Sequence, residues 1–106
     1  MKTSFSLFYV TFPDMQSAEA FSRLCLAEKA AACVNMFPGM KSVYWWKGEI
    51  QTNSEIVTLI KAPSHHKSRL EKLLKDRHPY EVPCLIEIPT SSIGSDYEKW
   101  LLESLK

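Results

Sequence analysis

The chain has 106 residues, of which 45% are hydrophobic and 24% charged, with three glycines and six prolines. One domain of this size can bury most of its apolar side chains, and the composition excludes a disordered tail, a collagenous repeat and a coiled coil. A net charge of +1 is too small for a broad face that holds nucleic acid or anionic lipid.

The segment Phe5–Phe12 is β-branched and aromatic, stops at Pro13-Asp14, and is predicted as a strand. The stretch after Lys2 is too short and too aromatic for a signal peptide, with no small-x-small cleavage site, and nothing approaches the ~18 apolar residues of a membrane span. From Gln16 to Ala32 the apolar residues recur at helical spacing, with Ala18, Phe21, Leu24, Cys25 and Ala31 on one face. Cys33–Trp46 is predicted as a strand, bulged or bent at Pro38-Gly39. Gly48 can adopt positive φ, so Trp46-Lys47-Gly48-Glu49 is predicted as a tight turn into a third strand that ends near Lys61.

Ala62-Pro63-Ser64 starts a second helix with its stripe on His66, Leu70, Leu73 and Leu74, and His78-Pro79 ends it. Glu71 and Lys75 are spaced for an ion pair on its outer face. Val82–Ile88 is predicted as a fourth strand. Ser95-Asp96-Tyr97-Glu98 has the form of a capping box, opening a terminal helix with Tyr97, Trp100, Leu101 and Leu105 on one face. The order βαββαβ plus a helix predicts one α+β domain over residues 1–106: a ferredoxin-like sandwich on an antiparallel sheet.

The strands are apolar on both sides. Phe5, Leu7 and Tyr9 oppose Phe8, Val10 and Phe12, while Val57 and Leu59 oppose Ile56 and Ile60. Two helices cover one sheet face, so the other exposes several hundred Å² of apolar surface, enough at ~25 cal/mol per Å² to drive association. The expectation is an obligate homo-oligomer with Trp46 and Phe8 at dry contacts. The alternative is that the terminal helix folds over the second face of its own chain.

Three segments carry a family resemblance over the whole chain. Ala31-Ala32-Cys33-Val34-Asn35-Met36-Phe37-Pro38-Gly39-Met40, then Ser42-Val43-Tyr44-Trp45-Trp46-Lys47-Gly48-Glu49, then His78-Pro79-Tyr80-Glu81-Val82-Pro83 closely resemble the divalent-cation-tolerance proteins of the CutA family. Ser54-Glu55, Lys61 and Tyr97-x-x-Trp100-Leu101 also look like the family pattern. The resemblance implies a cytoplasmic homotrimer linked to tolerance of copper and other divalent metals, similar in shape to the trimeric PII signalling proteins, and no catalytic activity follows from it. It also implies an inter-subunit cleft lined or supported by Trp46, Glu55, Lys61, His78 and Tyr80.

His78, Glu81 and Cys84 form the densest group of metal-ligand types, suited to Cu²⁺ or Zn²⁺. The same segment also reads as a helix-to-strand turn in which His78 caps helix carbonyls. The chain departs from the family here. Many members have Glu where Cys84 stands, and a Cys and a second His of some bacterial relatives correspond to Val10 and Arg77. A copper site built from those groups loses two ligands.

Other residues have plainer readings. Adjacent His65 and His66 are expected at the surface near a helix start, because neighbours about 100° apart chelate one ion poorly. Cys25 reads as a small core residue, Cys33 similarly, and unpaired thiols suit a cytosol. A carboxylate within an apolar strand needs a partner, and Lys61 is the expected one for Glu55. RNA binding on exposed aromatics and acylphosphatase-like chemistry are minor alternatives, since Thr11-Phe12-Pro13-Asp14-Met15 lacks an anion-cradling arginine. The expected function is divalent-metal binding without enzymatic activity. The alternative is a PII-like module binding a small anionic ligand or a protein partner at its clefts.

Overall fold

The computed structural model describes residues 4–106. Its elements are β1 (Phe5–Phe12), α1 (Met15–Ala27), β2 (Cys33–Trp46), β3 (Glu49–Pro63), α2 (Lys67–Arg77), β4 (Ile86–Pro89) and α3 (Ser95–Ser104). The four strands form one sheet in the order β2-β3-β1-β4, antiparallel throughout. This is the predicted ferredoxin-like arrangement with an added terminal helix.

The core lies between the sheet and the first two helices. Phe8, Val10 and Phe12 of β1 and Ile56 and Ile60 of β3 meet Ala18, Phe21 and Cys25 of α1 and Leu70 and Leu74 of α2. Phe8 is 0% exposed within this core, so it is not a contact between copies as expected. The opposite sheet face is covered at one end only. There Phe5 and Ala32 pack with Leu101 of α3, beside Cys33, Ile93 and Leu105. Beyond that end, Phe37, Ile86 and Ile88 remain exposed. The terminal helix therefore covers part of the second face and leaves the rest apolar.

Several boundaries differ from expectation for local reasons. Helix α1 is capped by Asp14, whose side chain accepts from Ser17 N at 2.7 Å, and it ends at Ala27 rather than Ala32. Lys29 takes φ 57, a left-handed terminator usually filled by glycine, and Ala30 N donates back to Cys25 O at 2.9 Å. Strand β3 runs on to Pro63, and a short 3₁₀ turn, Ser64–His66, precedes α2. Strand β4 begins at Ile86 rather than Val82, because Pro83 has no N–H to give a ladder. Helix α3 starts after Gly94 with no side-chain cap bond, so the Ser95 capping box does not form.

Surface pairs also differ. Glu71 pairs with Lys67 at 3.0 Å rather than with Lys75. His65 is exposed as expected, whereas His66 Nδ1 lies 2.8 Å from Ala30 O and ties the start of the second helical segment to the α1–β2 connection.

The β2–β3 hairpin positions the site. Its turn residues Lys47 and Gly48 have φ 50 and 80, the left-handed pair of a tight two-residue hairpin. The register shifts between Phe37 and Met40, at the predicted Pro38-Gly39 irregularity, where Gly39 has φ 79. Before the shift, Asn35 pairs with Leu59; after it, Met40, Tyr44 and Trp46 pair with Glu55, Gln51 and Glu49. Directly paired residues share a face, so the bulge moves even-numbered β2 residues onto the face of Glu55.

Candidate functional site

A cavity of about 340 Å³ opens where the hairpin meets the irregular segment between α2 and β4. Its lining is Thr11 of β1, Tyr44 and Trp46 of β2, Glu55 of β3, and Tyr80, Glu81, Val82 and Cys84. The structure thus gathers Trp46, Glu55 and Tyr80 of the expected cleft with Glu81 and Cys84 of the expected metal group. Tyr44, Thr11 and Val82 were not anticipated. Tyr44 could have been found by counting register through the Pro38-Gly39 bulge.

Glu55 is 8% exposed. Its Oε2 accepts the Tyr80 hydroxyl at 2.7 Å, which satisfies the buried carboxylate. The expected Lys61 partner is elsewhere. Six residues along one strand span roughly 20 Å, and Lys61 Nζ instead donates to Tyr97 Oη at 2.9 Å, lying 5.1 Å from that ring's centroid. Within this chain Lys61 is therefore not part of the cleft.

His78 sits at the end of α2 with φ −78 and ψ 139, driven out of the helical region by Pro79. That turn sends its ring inward, stacked on Phe12 at a centroid distance of 4.4 Å. Nε2 lies 2.7 Å from Thr11 O, and Nδ1 accepts from Tyr80 N at 3.0 Å. A carbonyl cannot donate, so Nε2 carries the proton and Nδ1 the lone pair. Both nitrogens are engaged. Burial lowers the His78 pKa, opposed by the Thr11 bond and by Glu55.

These facts bear on the expected metal group. His78 has no free nitrogen, and among the described residues no three His, Cys, Asp or Glu side chains form a group that could hold a metal ion. His78, Glu81 and Cys84 are not a preformed chelate in one chain. His78 is a positioning residue: it fixes the backbone of Tyr80, and hence the hydroxyl that meets Glu55. It caps a strand carbonyl rather than the helix carbonyls anticipated.

The pocket is electrostatically one-sided. Glu55 and Glu81 line it together with the Cys84 thiol, and among the described residues no Lys or Arg does. Burial, then Glu55, raises the Cys84 pKa. The Tyr80 phenol is raised by burial and by its bond to Glu55. Cys25, wholly inside the core, is pushed up to about 12 by burial and is chemically inert.

Comparison with known proteins agrees with this architecture. Residues 6–104 match the model of the CutA1 divalent ion tolerance protein family. The chain is 40% identical over 96 residues to the divalent-cation tolerance protein CutA of Pectobacterium atrosepticum, covering 91% of this chain and 87% of that one. It is 37% identical over 98 residues to that of Pyrococcus horikoshii, covering 92% and 95%. It superposes on CutA1 from Oryza sativa with a TM-score of 0.93 at 35% identity, over 98% and 95% of the two chains. A second structure, the periplasmic divalent cation tolerance protein CutA of Archaeoglobus fulgidus, gives 0.92 at 31% identity, over 96% and 99%. Matched along nearly its whole length in sequence and in fold, the chain belongs to the CutA1 divalent ion tolerance family.

Proposed function

We propose that the protein serves divalent-cation tolerance as a non-enzymatic, cytoplasmic homotrimer that takes divalent metal, copper foremost, as cargo on the Glu55–Glu81–Cys84 side of its pocket. The observation that carries this reading is the donor set: two carboxylates and a thiol around one cavity with no Lys or Arg in its lining among the described residues. A thiolate favours copper and zinc over magnesium or calcium, and the carboxylates add negative charge.

Association is supported by the half-covered second face, where Phe37, Ile86 and Ile88 are exposed in the single chain. Three copies is the number the family resemblance implies. Cys25, Cys33 and Cys84 are all unpaired, in keeping with a reducing compartment. The PII-like alternative, with a small anionic ligand, meets two carboxylates in this pocket and no counter-charge among the described residues.

Calorimetric titration with Cu²⁺, Zn²⁺ and ATP tests the reading. Saturable metal binding is expected, weakened at least about tenfold by Cys84→Ser, with no nucleotide binding. Saturable ATP binding in the absence of metal would overturn it.

A further inference from the structure

The second helical segment opens on two adjacent histidines that neither the pocket nor the core explains. We propose that His65 and His66 form a metal site of their own, binding one late divalent transition ion, Cu²⁺ most tightly, through two imidazole nitrogens.

Local geometry carries this assignment. On an α-helix neighbouring side chains diverge by about 100°, which makes an adjacent pair a poor chelate. Here both residues lie on the 3₁₀ turn Ser64–His66, and their rings meet edge to face, with centroids 4.7 Å apart and planes at 79°. Two imidazoles bound to one ion at about 2.0–2.1 Å have centroids roughly 4.5–5.2 Å apart, so the rings already stand at the spacing that a shared ion needs. The tautomer of His66 is also set. Its Nδ1 lies 2.8 Å from the Ala30 carbonyl, which can only accept, so Nδ1 carries the proton and Nε2 keeps the lone pair. Histidines that hold metals are commonly oriented in this way, by a carbonyl bonded to the other ring nitrogen.

The surroundings select the ion. Lys67 follows the pair but is engaged by Glu71 at 3.0 Å, and Arg69 donates to the Glu28 and Lys29 carbonyls. Two nitrogen donors beside these cations suit Mg²⁺ and Ca²⁺ badly, since both take oxygen ligands, and favour Cu²⁺ at the top of the divalent series. Both donors come from one chain. The turn belongs to the helical layer, tied to the α1–β2 connection, across the sheet from the half-covered apolar face. The site therefore needs no partner subunit and shares no residue with the pocket.

Calorimetry with Cu²⁺, together with electron paramagnetic resonance, tests the site in the intact protein. Wild type is expected to take up roughly two Cu²⁺ per chain, one in the pocket and one on the turn. Cys84→Ser should keep the turn ion, and its resonance should show coupling to two imidazole nitrogens. Adding His65→Ala to Cys84→Ser should weaken that remaining site by at least about tenfold and reduce the coupling to one nitrogen. His65 is exposed, so its removal leaves the core intact. No saturable Cu²⁺ binding below about 1 mM in Cys84→Ser, or unchanged affinity once His65→Ala is added, would overturn the proposal. Uptake that Cys84→Ser leaves at the wild-type level and His65→Ala abolishes would instead overturn the pocket reading and uphold this one.

Discussion

The Tyr80 hydroxyl donates to Glu55 Oε2 across 2.7 Å and joins β3 to a segment that makes no ladder bonds of its own. This contact explains how a carboxylate stands in an otherwise apolar strand, and it gives the pocket its shape. Tyr80→Phe would leave the buried carboxylate without its donor. Stability should fall by about 1–3 kcal/mol, read from urea unfolding at fixed protein concentration. Tyr80→Phe in a Glu55→Gln background should cost less, because no buried charge is then stranded.

His78 predicts a pH dependence of stability. Its folded pKa lies below the ordinary value of 6.5, chiefly because of burial. The unfolded chain then binds the proton more readily, so this contribution is complete above pH 6.5 and is lost as pH falls toward the folded pKa. Protonation also places a hydrogen on Nδ1, where Tyr80 N–H now donates. The urea midpoint should drop between pH 7.5 and pH 5, and His78→Gln should flatten that drop.

Lys29 occupies a left-handed position at φ 57 just beyond α1. Glycine has no steric penalty there, so Lys29→Gly should stabilise the protein by about 1 kcal/mol. The Lys29 Nζ bond to Ser104 O, at 3.2 Å on the surface, is a small offsetting loss. Thermal melts at matched concentration would show the change as a rise in Tm.

Ile88 is 43% exposed on β4 and shares a face with its register partner Leu7. Ile88→Lys places a charge on the half-covered face while leaving the α1–α2 core intact. Light scattering after size exclusion should show the proposed trimer reduced to smaller species in this variant.

Much of the fold was legible because its signals are local. The strands β1 and β2, the Lys47-Gly48 turn and the His78-Pro79 stop each depend on residues within a few positions of one another. The end of α1 was not legible, since a lysine fills a position where glycine would have announced the turn. Part of the site was legible by a different route. Trp46, Glu55 and Tyr80 came from the family resemblance, and the cavity holds all three. Lys61 was misplaced because pairing it with Glu55 ignores the length of strand between them. The role of His78 depends on a Thr11 carbonyl 67 residues away in sequence, which no local pattern reveals.

Anomalous scattering from a copper-soaked crystal tests the central assignment most directly. A copper peak is expected beside Cys84 Sγ and the Glu81 carboxylate, with the His78 ring still bonded to Thr11 O and Tyr80 N. A peak on a His78 ring nitrogen, or none in the pocket at saturating copper, would contradict it.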